Sequence, residues 1–268
     1  MDTNQEMNDL ECLWLCSFNC RSLKSSINEI QHLCDLHDII FLQEHWLLPF
    51  ELDLLGHVDF YGFGLSAVDP TADMLVSRPF GGTAVLYDKK TTQFIKIVES
   101  EYRQIIVFIL FTYIGPILFF NVYMPTDYGD FNCFNDYADV CAKLSALYTD
   151  HDVAFLVVAG DFNCNVGSRF YDMFVQLCNG NRLVCSDYAQ LQNVFTYSSD
   201  NGLRYSWIDR VICSVPVDDY INSIKIETGF ICSDHKLISV MFNKLISRPS
   251  SQSYMNSHGN HGSHCSSY

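Results

Sequence analysis

Positive charge is scarce in this sequence. Sixteen lysine and arginine residues stand against thirty-one aspartate and glutamate residues in a chain of 268, which gives a formal net charge of −15. Domains that hold nucleic acid by charge alone are usually basic, so this composition argues against tight, metal-free binding of DNA or RNA. It does not argue against a nuclease, because a bound divalent cation reverses the electric field around it.

Zinc-finger spacings and a secretion signal are also absent. The twelve cysteines include no Cys-x₂-Cys pair, and no cysteine–histidine cluster has the spacing of a zinc site. Residues 1–6 lack the basic and apolar regions of a signal peptide. We therefore expect an intracellular protein, nuclear or cytoplasmic and not secreted, whose cysteines are mostly small core residues.

One charge-free run, residues 105–124, is long enough to cross a bilayer. Gly115 and Pro116 lie in its middle, and β-branched and aromatic residues flank them on both sides. This pattern favours two core strands joined by a tight turn over a transmembrane helix.

Apolar strands alternate with amphipathic helices in the rest of the chain. Residues 13–18 form a predicted buried strand, residues 25–36 a helix and residues 38–42 a second strand, which together make a crossover unit with parallel strands. Further strands are predicted at 81–87, 92–98, 153–159, 211–213 and 237–242, and further helices at 133–148 and 168–178. This order predicts an α/β fold with a two-layered sheet core and helices packed outside.

Composition changes at both ends of the chain. Residues 1–11 are polar, and residues 246–268 are rich in serine, histidine, asparagine and glycine. We expect a loose N-terminus, one folded domain over residues 12–245 and a disordered tail. The tail repeats histidine every three residues, at His258, His261 and His264; this spacing could bind a metal but is also typical of low-complexity sequence.

Polar residues follow several of the predicted strands directly. Asp161 and Asn163 come after the apolar run 153–159, in the sequence Gly-Asp-Phe-Asn. Other strand-like segments end in Asn19, Gln43, Glu44, Tyr123, Asp209, Asp234 and His235. Strand ends are where α/β folds place their chemistry, so these side chains are expected to converge. Acids, amides and one histidine in such positions predict a divalent-metal phosphoesterase pocket.

Three of these residues are assigned to the metal and the attacking water. Glu44 ends a strand too apolar to tolerate a charge without a function, and it is the candidate metal ligand. Asn19, on the neighbouring parallel strand, would orient Glu44 or hold a water on the metal. Asp161 would deprotonate the attacking water. Simpler interpretations stay open: a solvated acid at a strand end for Glu44, a strand cap for Asn19 and a turn for Asp161.

The remaining residues are assigned mainly to the phosphate. Tyr123 and Asn163 would donate hydrogen bonds to a phosphate oxygen. Asp209 would bind one imidazole nitrogen of His235, which fixes the tautomer, raises the pKa and leaves the other nitrogen for the phosphate. Asp234 would reach the metal directly or through water. An ordinary core tyrosine at 123 and a structural histidine at 235 are the simpler interpretations.

These residues, in this order, resemble the endonuclease/exonuclease/phosphatase superfamily. The motifs stand here as Phe18-Asn19, Leu42-Gln43-Glu44, Gly81-Gly82-Thr83-Ala84-Val85, Asn121-Val122-Tyr123-Met124-Pro125, Gly160-Asp161-Phe162-Asn163, Ser206-Trp207-Ile208-Asp209 and Ser233-Asp234-His235. The resemblance implies a DNase I-like, four-layer α/β sandwich of two packed mixed sheets flanked by helices. It implies a site at one end of the sheets, with Glu44 as metal ligand, Asp161 as base and His235, oriented by Asp209, as phosphate-binding residue. Mg²⁺ is the expected cofactor, with Mn²⁺ as a substitute.

Within the superfamily the chain looks most like the endonuclease domain of a non-LTR (LINE-type) retrotransposon. The strings that carry this likeness are Asn19-Cys20-Arg21-Ser22-Leu23, Phe41-Leu42-Gln43-Glu44-His45-Trp46-Leu47 and Ser206-Trp207-Ile208-Asp209-Arg210-Val211. It implies an enzyme that nicks DNA, with Ser206 and Arg210 as further substrate-binding residues. Neither a membrane nor an obligate protein partner is expected.

The sequence also departs from one branch of the superfamily. Arg21 stands where apurinic endonucleases have an aspartate, and Thr126 where they have an asparagine. Two alternatives to a DNA endonuclease therefore stay open. One is a phosphatase or phosphodiesterase of the same superfamily that acts on inositol phosphate, lipid or RNA. The other is a non-catalytic relic of the domain.

Overall fold

Residues 10–57, 60–68, 79–230 and 232–247 are described by the computed structural model. Most of the predicted loose N-terminus (1–11) and most of the predicted disordered tail (246–268), with its three histidines, lie outside the described residues. The first strand begins at Leu10 and the last ends at Ser247, so the sheet extends beyond both predicted domain boundaries.

Six strands form a mixed sheet, here called the first sheet. They are β1 (Leu10–Asn19), β2 (Ile39–Gln43), β3 (Tyr61–Leu65), β4 (Thr83–Tyr87), β13 (Ile221–Glu227) and β14 (Leu237–Ser247), in the spatial order β13-β14-β1-β2-β4-β3. β1 and β2 run parallel, and the other neighbouring pairs are antiparallel. Helix α1 (Ile27–Leu36) makes the crossover between the parallel strands, which confirms the predicted crossover unit.

Six further strands form the second sheet. They are β5 (Ile95–Val98), β6 (Ile105–Thr112), β7 (Gly115–Tyr123), β8 (Phe155–Asp161), β9 (Leu183–Cys185) and β12 (Asp209–Ser214), in the spatial order β5-β6-β7-β8-β12-β9. β7 and β8 run parallel and are joined by helix α2 (Phe131–Asp150), whereas the other pairs are antiparallel. Each sheet thus has one parallel pair near its middle.

The charge-free run 105–124 folds as the antiparallel hairpin β6–β7, which confirms the two-strand interpretation. The turn lies at residues 113–114, just before the predicted Gly115–Pro116 position, because Gly115 already pairs with Thr112. Among the described residues, no helix combines the length and the apolar character that a bilayer span requires.

The two sheets pack face to face around a shared apolar layer. Phe41 and Val85 of the first sheet meet Phe108, Phe119 and Val157 of the second, and all five are fully buried. Phe41 lies edge-on to Phe108 with ring centroids 5.9 Å apart, and Phe108 stacks on Phe119 at 5.1 Å. Burial of these large apolar side chains is the main force that holds the sheets together.

Helices cover the outer face of each sheet. α1 and the 3-10 helix Pro49–His57 cover the first sheet, where Ile30 and Leu33 are buried. α2 and α3 (Tyr171–Gly180) cover the second sheet through side chains that include Tyr137 and Phe174. The order of helices, sheet, sheet and helices is a four-layer α/β sandwich, which confirms the predicted fold class.

Some elements have no clear pattern in the sequence. The glycines and prolines of residues 45–80 favour a loop, yet β3 forms there because its backbone pairs along the edge of β4. β13 is an edge strand in which only Ile221 and Ile224 are buried. Residues 92–94 form a 3-10 turn, so the predicted strand 92–98 begins only at Ile95. The remaining short elements are α4 (Ser186–Gln190), α5 (Val215–Asp218) and the two-stranded ribbon of β10 (Tyr197–Ser198) and β11 (Tyr205–Ser206).

Two local features lie near the ends of the parallel strands: a close approach within the second sheet and a contact that joins the two sheets. Gly160 has a φ of +147°, and a Cβ there would overlap the carbonyl oxygen of Val122, so glycine lets β8 lie close to β7. Asn121 reaches from β7 into the first sheet. Its Nδ2 donates to the Leu42 carbonyl at 3.0 Å, and its Oδ1 accepts from Gln43 Nε2 at 2.7 Å.

Candidate active site

Residues from both sheets converge where the parallel strands end. Asn19 ends β1, Glu44 follows β2 and Asp161 ends β8. The Nδ2 atom of Asn19 lies 2.9 Å from Glu44 Oε1, 3.0 Å from Asp161 Oδ2 and 3.4 Å from His235 Nε2. Residues far apart in the sequence therefore face one point, as the sequence predicts for this edge.

Glu44 is held by three hydrogen-bond donors. Its Oε1 accepts from Asn19 Nδ2 and from the Tyr123 hydroxyl at 3.1 Å, and its Oε2 accepts from the indole Nε1 of Trp46 at 3.0 Å. The backbone φ of Glu44 is +54°, a region that non-glycine residues rarely occupy. Such a conformation persists where surrounding contacts demand it, and here it accompanies a carboxylate turned toward Asn19.

Asp161 lies directly opposite Asp209 in the antiparallel pair of β8 and β12. Its Oδ2 accepts from Asn19, and its Oδ1 accepts from the backbone N–H of Asn163 at 2.9 Å. Burial, and next the negative charge of Asp209, raise the pKa of Asp161 to about 7. A carboxylate with a pKa near neutrality is suited to take a proton from water at physiological pH.

Asp209 and His235 form the pair that the sequence predicts. The two carboxylate oxygens of Asp209 lie 2.9 Å and 3.1 Å from His235 Nδ1. Burial by itself lowers the pKa of His235, but the charges of Asp209 and Asp161 outweigh burial and raise it to about 10. The imidazole is therefore protonated at neutral pH. Its Nε2–H points to the shared centre, 3.9 Å from Asp161 Oδ2.

The loop before β14 fixes the position of this imidazole. The Ser233 hydroxyl donates to the Asn19 carbonyl at 2.7 Å and accepts from the His235 backbone N–H at 3.1 Å. Tyr197 of the β10–β11 ribbon forms a backbone bridge with His235, and their rings lie 5.1 Å apart. Ser233 and Tyr197 have positioning roles that the sequence patterns alone did not assign.

An open cleft of about 480 Å³ lies in front of these groups. Its walls include Asn163 and Ser206, two of the predicted substrate-binding residues. Asn163 has a φ of +47°, and its Nδ2 donates to the Met124 carbonyl at 2.8 Å. The structure therefore places both side chains beside the candidate catalytic residues, within reach of a ligand in the cleft.

Tyr123 lines a second cavity, of about 460 Å³, that shares Phe80 and Thr126 with the cleft. Burial, followed by the charges of Glu44 and Asp161, raises the pKa of Tyr123, so its hydroxyl remains a hydrogen-bond donor. That donor is directed at Glu44. In this arrangement Tyr123 orients Glu44, and donation to a phosphate would require its hydroxyl to leave the carboxylate.

Arg21 is a cleft residue to which the sequence patterns give no role. Its Nη1 and Nη2 bind the two carboxylate oxygens of Asp200 at 2.8 Å and 3.2 Å, and its Nη1 lies 3.3 Å from Asp234 Oδ2. Asp234, which was predicted to reach the metal, therefore faces the Arg21 guanidinium. The sequence signal that could have identified Arg21 is its positive charge, two residues after Asn19, in a chain with few basic residues.

Arg210 was predicted to bind substrate, and that prediction is wrong. The Arg210 side chain is fully buried, with Nη1 3.2 Å from Asp187 Oδ2 and Nη2 donating to the Trp207 carbonyl at 2.8 Å. Its guanidinium lies 4.2 Å from the ring centroid of Tyr188. Successive side chains of a strand point to opposite faces, so Asp209 enters the site while Arg210 enters the outer core beneath α3.

The donor set at the shared centre fits a hard divalent cation. Mg²⁺ prefers oxygen ligands, and the carboxylates of Glu44 and Asp161 face the same point. Ligand atoms of Asp161, Asp209 and His235 also lie within 4.8 Å of one another. The carboxylates outnumber the imidazolium, and a cation would relieve the repulsion that raises the pKa of Asp161.

The Asn19 side chain presents its amino group, not its oxygen, to the shared centre. Its amino group faces the carboxylates of Glu44 and Asp161, whereas its Oδ1 accepts from the backbone N–H of Arg21 at 3.3 Å. The oxygen that a cation would need therefore points away from the centre.

Residues 16–235 match the endonuclease/exonuclease/phosphatase family. The chain belongs to this family. The matched region contains Glu44, Asp161 and Asp209 and ends at His235. Curated protein sequences give no match to the chain.

Solved structures of nucleases share the fold of this family member. The Neisseria 3′ phosphatase NExo, bound to a product DNA hairpin, has a TM-score of 0.69 at 16% identity, over 86% of this chain and 99% of that one. The AP endonuclease LMAP from Leishmania major has a TM-score of 0.68 at 14% identity, over 91% and 96%. The endonuclease domain of TRAS1, a telomere-specific non-LTR retrotransposon, has a TM-score of 0.67 at 13% identity, over 87% and 99%. At these identities the likeness concerns the fold.

Proposed function

We propose that this protein is an Mg²⁺-dependent phosphodiesterase and that it nicks DNA as an endonuclease, as in non-LTR retrotransposition. The observation that carries the proposal is the meeting of Glu44, Asp161 and His235 within 3.4 Å of Asn19 Nδ2. Membership of the endonuclease/exonuclease/phosphatase family supports hydrolysis of a phosphoester.

Two requirements of phosphodiester hydrolysis correspond to side chains in this site. The attacking water must lose a proton, and Asp161 is the carboxylate whose pKa of about 7 suits that transfer. The charge that develops on the phosphate must be stabilised, and His235 offers a protonated Nε2–H held in place by Asp209. Asn163 and Ser206, on the wall of the cleft, would donate to further phosphate oxygens.

Glu44 would hold the cation, with Asn19, Tyr123 and Trp46 orienting its carboxylate. When bound, Mg²⁺, or Mn²⁺ in its place, would supply the positive charge that stabilises the phosphate and the leaving oxygen. Asp234 receives no metal role in this proposal, since its carboxylate faces Arg21.

DNA is the proposed substrate because the structural neighbours named above include two endonucleases and a 3′ phosphatase bound to DNA. One carries a product DNA hairpin, and another is a retrotransposon endonuclease domain. The same chemistry would serve an inositol phosphate, a lipid headgroup or RNA, so the substrate class needs a direct test.

The test is a panel of supercoiled plasmid, abasic duplex, RNA, inositol phosphates and sphingomyelin, each with Mg²⁺ and with EDTA. We expect Mg²⁺-dependent conversion of supercoiled plasmid to the nicked form, lost in Asp161→Asn. Asp35→Asn is the matched control, because it removes an exposed carboxylate on α1, away from the cleft. Faster turnover of another substrate would replace DNA, and no turnover of any substrate would support the non-catalytic alternative.

We also propose that residues 12–245 act as the catalytic unit inside the cell, in the nucleus or cytoplasm. The eleven cysteines in the described part of the chain form no disulfide, which suits a reducing compartment. No membrane and no obligate protein partner enter the proposed reaction.

A further inference from the structure

Arg21 is a positive group at the mouth of a negatively charged cleft. Glu44, Asp161 and Asp234 line this cleft, and among the described residues that line it Arg21 alone is a lysine or arginine. Arg21 lies between β1 and α1 with a φ of +45°. A phosphodiester that approaches these acids needs positive charge near its path, and Arg21 is placed to provide it.

Asp200 holds the Arg21 guanidinium in the way that a phosphate would. The two ions pair through two parallel contacts of 2.8 Å and 3.2 Å. Carboxylates and phosphates present the same two-oxygen edge to a guanidinium fork. The Asp200 side chain is 74% exposed, and exposed pairs of this kind contribute little free energy. A substrate phosphate can therefore replace Asp200 at low cost.

Asp234 keeps the guanidinium near the site when Asp200 is exchanged. Its carboxylate is only 16% exposed and lies 3.3 Å from Arg21 Nη1. Its backbone carbonyl accepts from Ser198 N–H at 2.9 Å, which anchors it beside His235. Arg21 thus has one partly buried partner that positions it and one exposed partner that it can release.

We propose that Arg21 binds a non-bridging oxygen of a substrate phosphate in exchange for Asp200, which acts as an internal competitor. This inference rests on the proposed function, because it names a substrate-positioning residue of the same site. The contact would distinguish this cleft from that of apurinic endonucleases, which have an aspartate where this sequence has Arg21.

The test compares two substitutions that break the same ion pair. Binding of a fluorescein-labelled DNA duplex is measured by anisotropy with Mg²⁺, in a His235→Ala background that prevents turnover. Arg21→Ala should weaken binding about tenfold, the value of one charge-assisted hydrogen bond. Asp200→Asn should tighten binding about twofold, because it removes the competitor.

The opposite directions of these two changes in DNA affinity distinguish phosphate binding by Arg21 from a purely structural role. If Arg21 only ties the turn after β10 to the loop after β1, then Arg21→Ala and Asp200→Asn should weaken binding alike, and that result would overturn the proposal. Lys24→Ala is the matched control, because it removes an equal charge from a residue that pairs with Glu51 outside the cleft. We expect its effect on binding to stay below about twofold.

Neutral phosphates locate the contact on the substrate. A series of duplexes carries one methylphosphonate each, which removes the charge from a single phosphate. One position should weaken binding in the parent protein and cause no further loss in Arg21→Ala, because the partner is already absent. Additive losses at every position would contradict the assignment.

The controls also separate this proposal from the proposed function. Failure of the wild-type protein to bind or cleave any phosphodiester would remove both. Cleavage of DNA by the wild type, with Arg21→Ala and Asp200→Asn binding unchanged, would remove only the role of Arg21.

Discussion

Asp209 and Arg210 are neighbours in β12, yet they belong to two buried charge clusters of opposite design. Asp209 binds the protonated His235, which lines the cleft with Asp161 and Glu44, so carboxylates outnumber cations there. Arg210 faces the outer core with a single carboxylate, Asp187. β12 thus separates a cluster with excess negative charge beside the cleft, here called the open cluster, from a buried ion pair of equal charges, here called the closed cluster.

The comparison shows what distinguishes a reactive buried charge from a structural one. Burial raises the pKa of Asp187, but Arg210 opposes the effect and leaves it at about 6. At Asp161 the next largest influence after burial, the charge of Asp209, acts in the same direction and brings the pKa to about 7. A carboxylate whose neighbours raise the free energy of its charged form binds a proton or a metal ion more readily.

The largest expected effect is loss of catalysis from the open cluster. Asp161→Asn and His235→Ala should each lower the plasmid nicking rate about 10³-fold, because each removes a group that moves or donates a proton. Circular dichroism should show an intact fold. A variant that keeps a tenth of the wild-type rate would lose the role given to its residue.

The closed cluster should respond through stability instead. Arg210→Ala should lower the free energy of unfolding by about 3–5 kcal/mol, because Asp187 would be left buried without its counter-ion. Urea titration measures the change. The double substitution Arg210→Met with Asp187→Leu should recover most of it, since apolar groups need no counter-ion. A loss below about 1 kcal/mol in Arg210→Ala would show that this pair is not structural.

A smaller effect should distinguish the metal ligand from the base. Glu44→Gln keeps the shape of the side chain and its contact with Tyr123 but removes the charge. The Mg²⁺ concentration that gives half-maximal nicking should rise about tenfold, as for the loss of one carboxylate ligand. An unchanged metal titration would exclude Glu44 from direct contact with the cation.

The smallest effect is a pH dependence of Mg²⁺ binding at the open cluster. In the metal-free protein the pKa of Asp161 is raised to about 7. Protonated Asp161 therefore stabilises the folded state at low pH, and this stabilisation is lost as the pH rises through that value. Protons therefore compete with Mg²⁺, and the apparent Kd should rise about fourfold between pH 8 and pH 6.5. His235 stays charged over this range, since its pKa is about 10. Calorimetry that finds a constant Kd would contradict the raised pKa.

Strand ends could be predicted from the sequence because apolar runs stop at recognisable polar residues. Asn19, Glu44 and Asp161 each follow such a run, and the carboxyl ends of parallel strands meet at one edge. Strand, helix and strand order likewise predicted the first crossover unit, β1-α1-β2, since burial fixes its periodicity.

Side-chain direction and short-range pairing could not be predicted in this way. Arg210 follows Asp209 at once, and only the register of β12 against β8 decides which of the two faces the site. Arg21 contacts Asp200 across 179 positions through side chains that no local pattern marks. β13 lies at the edge of its sheet, so few of its side chains are buried and its sequence lacks the apolar pattern of a central strand.

The position of β14 has a consequence for unfinished copies of this protein. Among the described residues it is the last strand, yet it lies inside the first sheet between β13 and β1, and His235 lies two residues before it. A nascent polypeptide therefore lacks both the His235 imidazole and the strand that completes the first sheet until residues 235–247 have been translated. Chains terminated before this segment would have an incomplete first sheet and a site without its histidine.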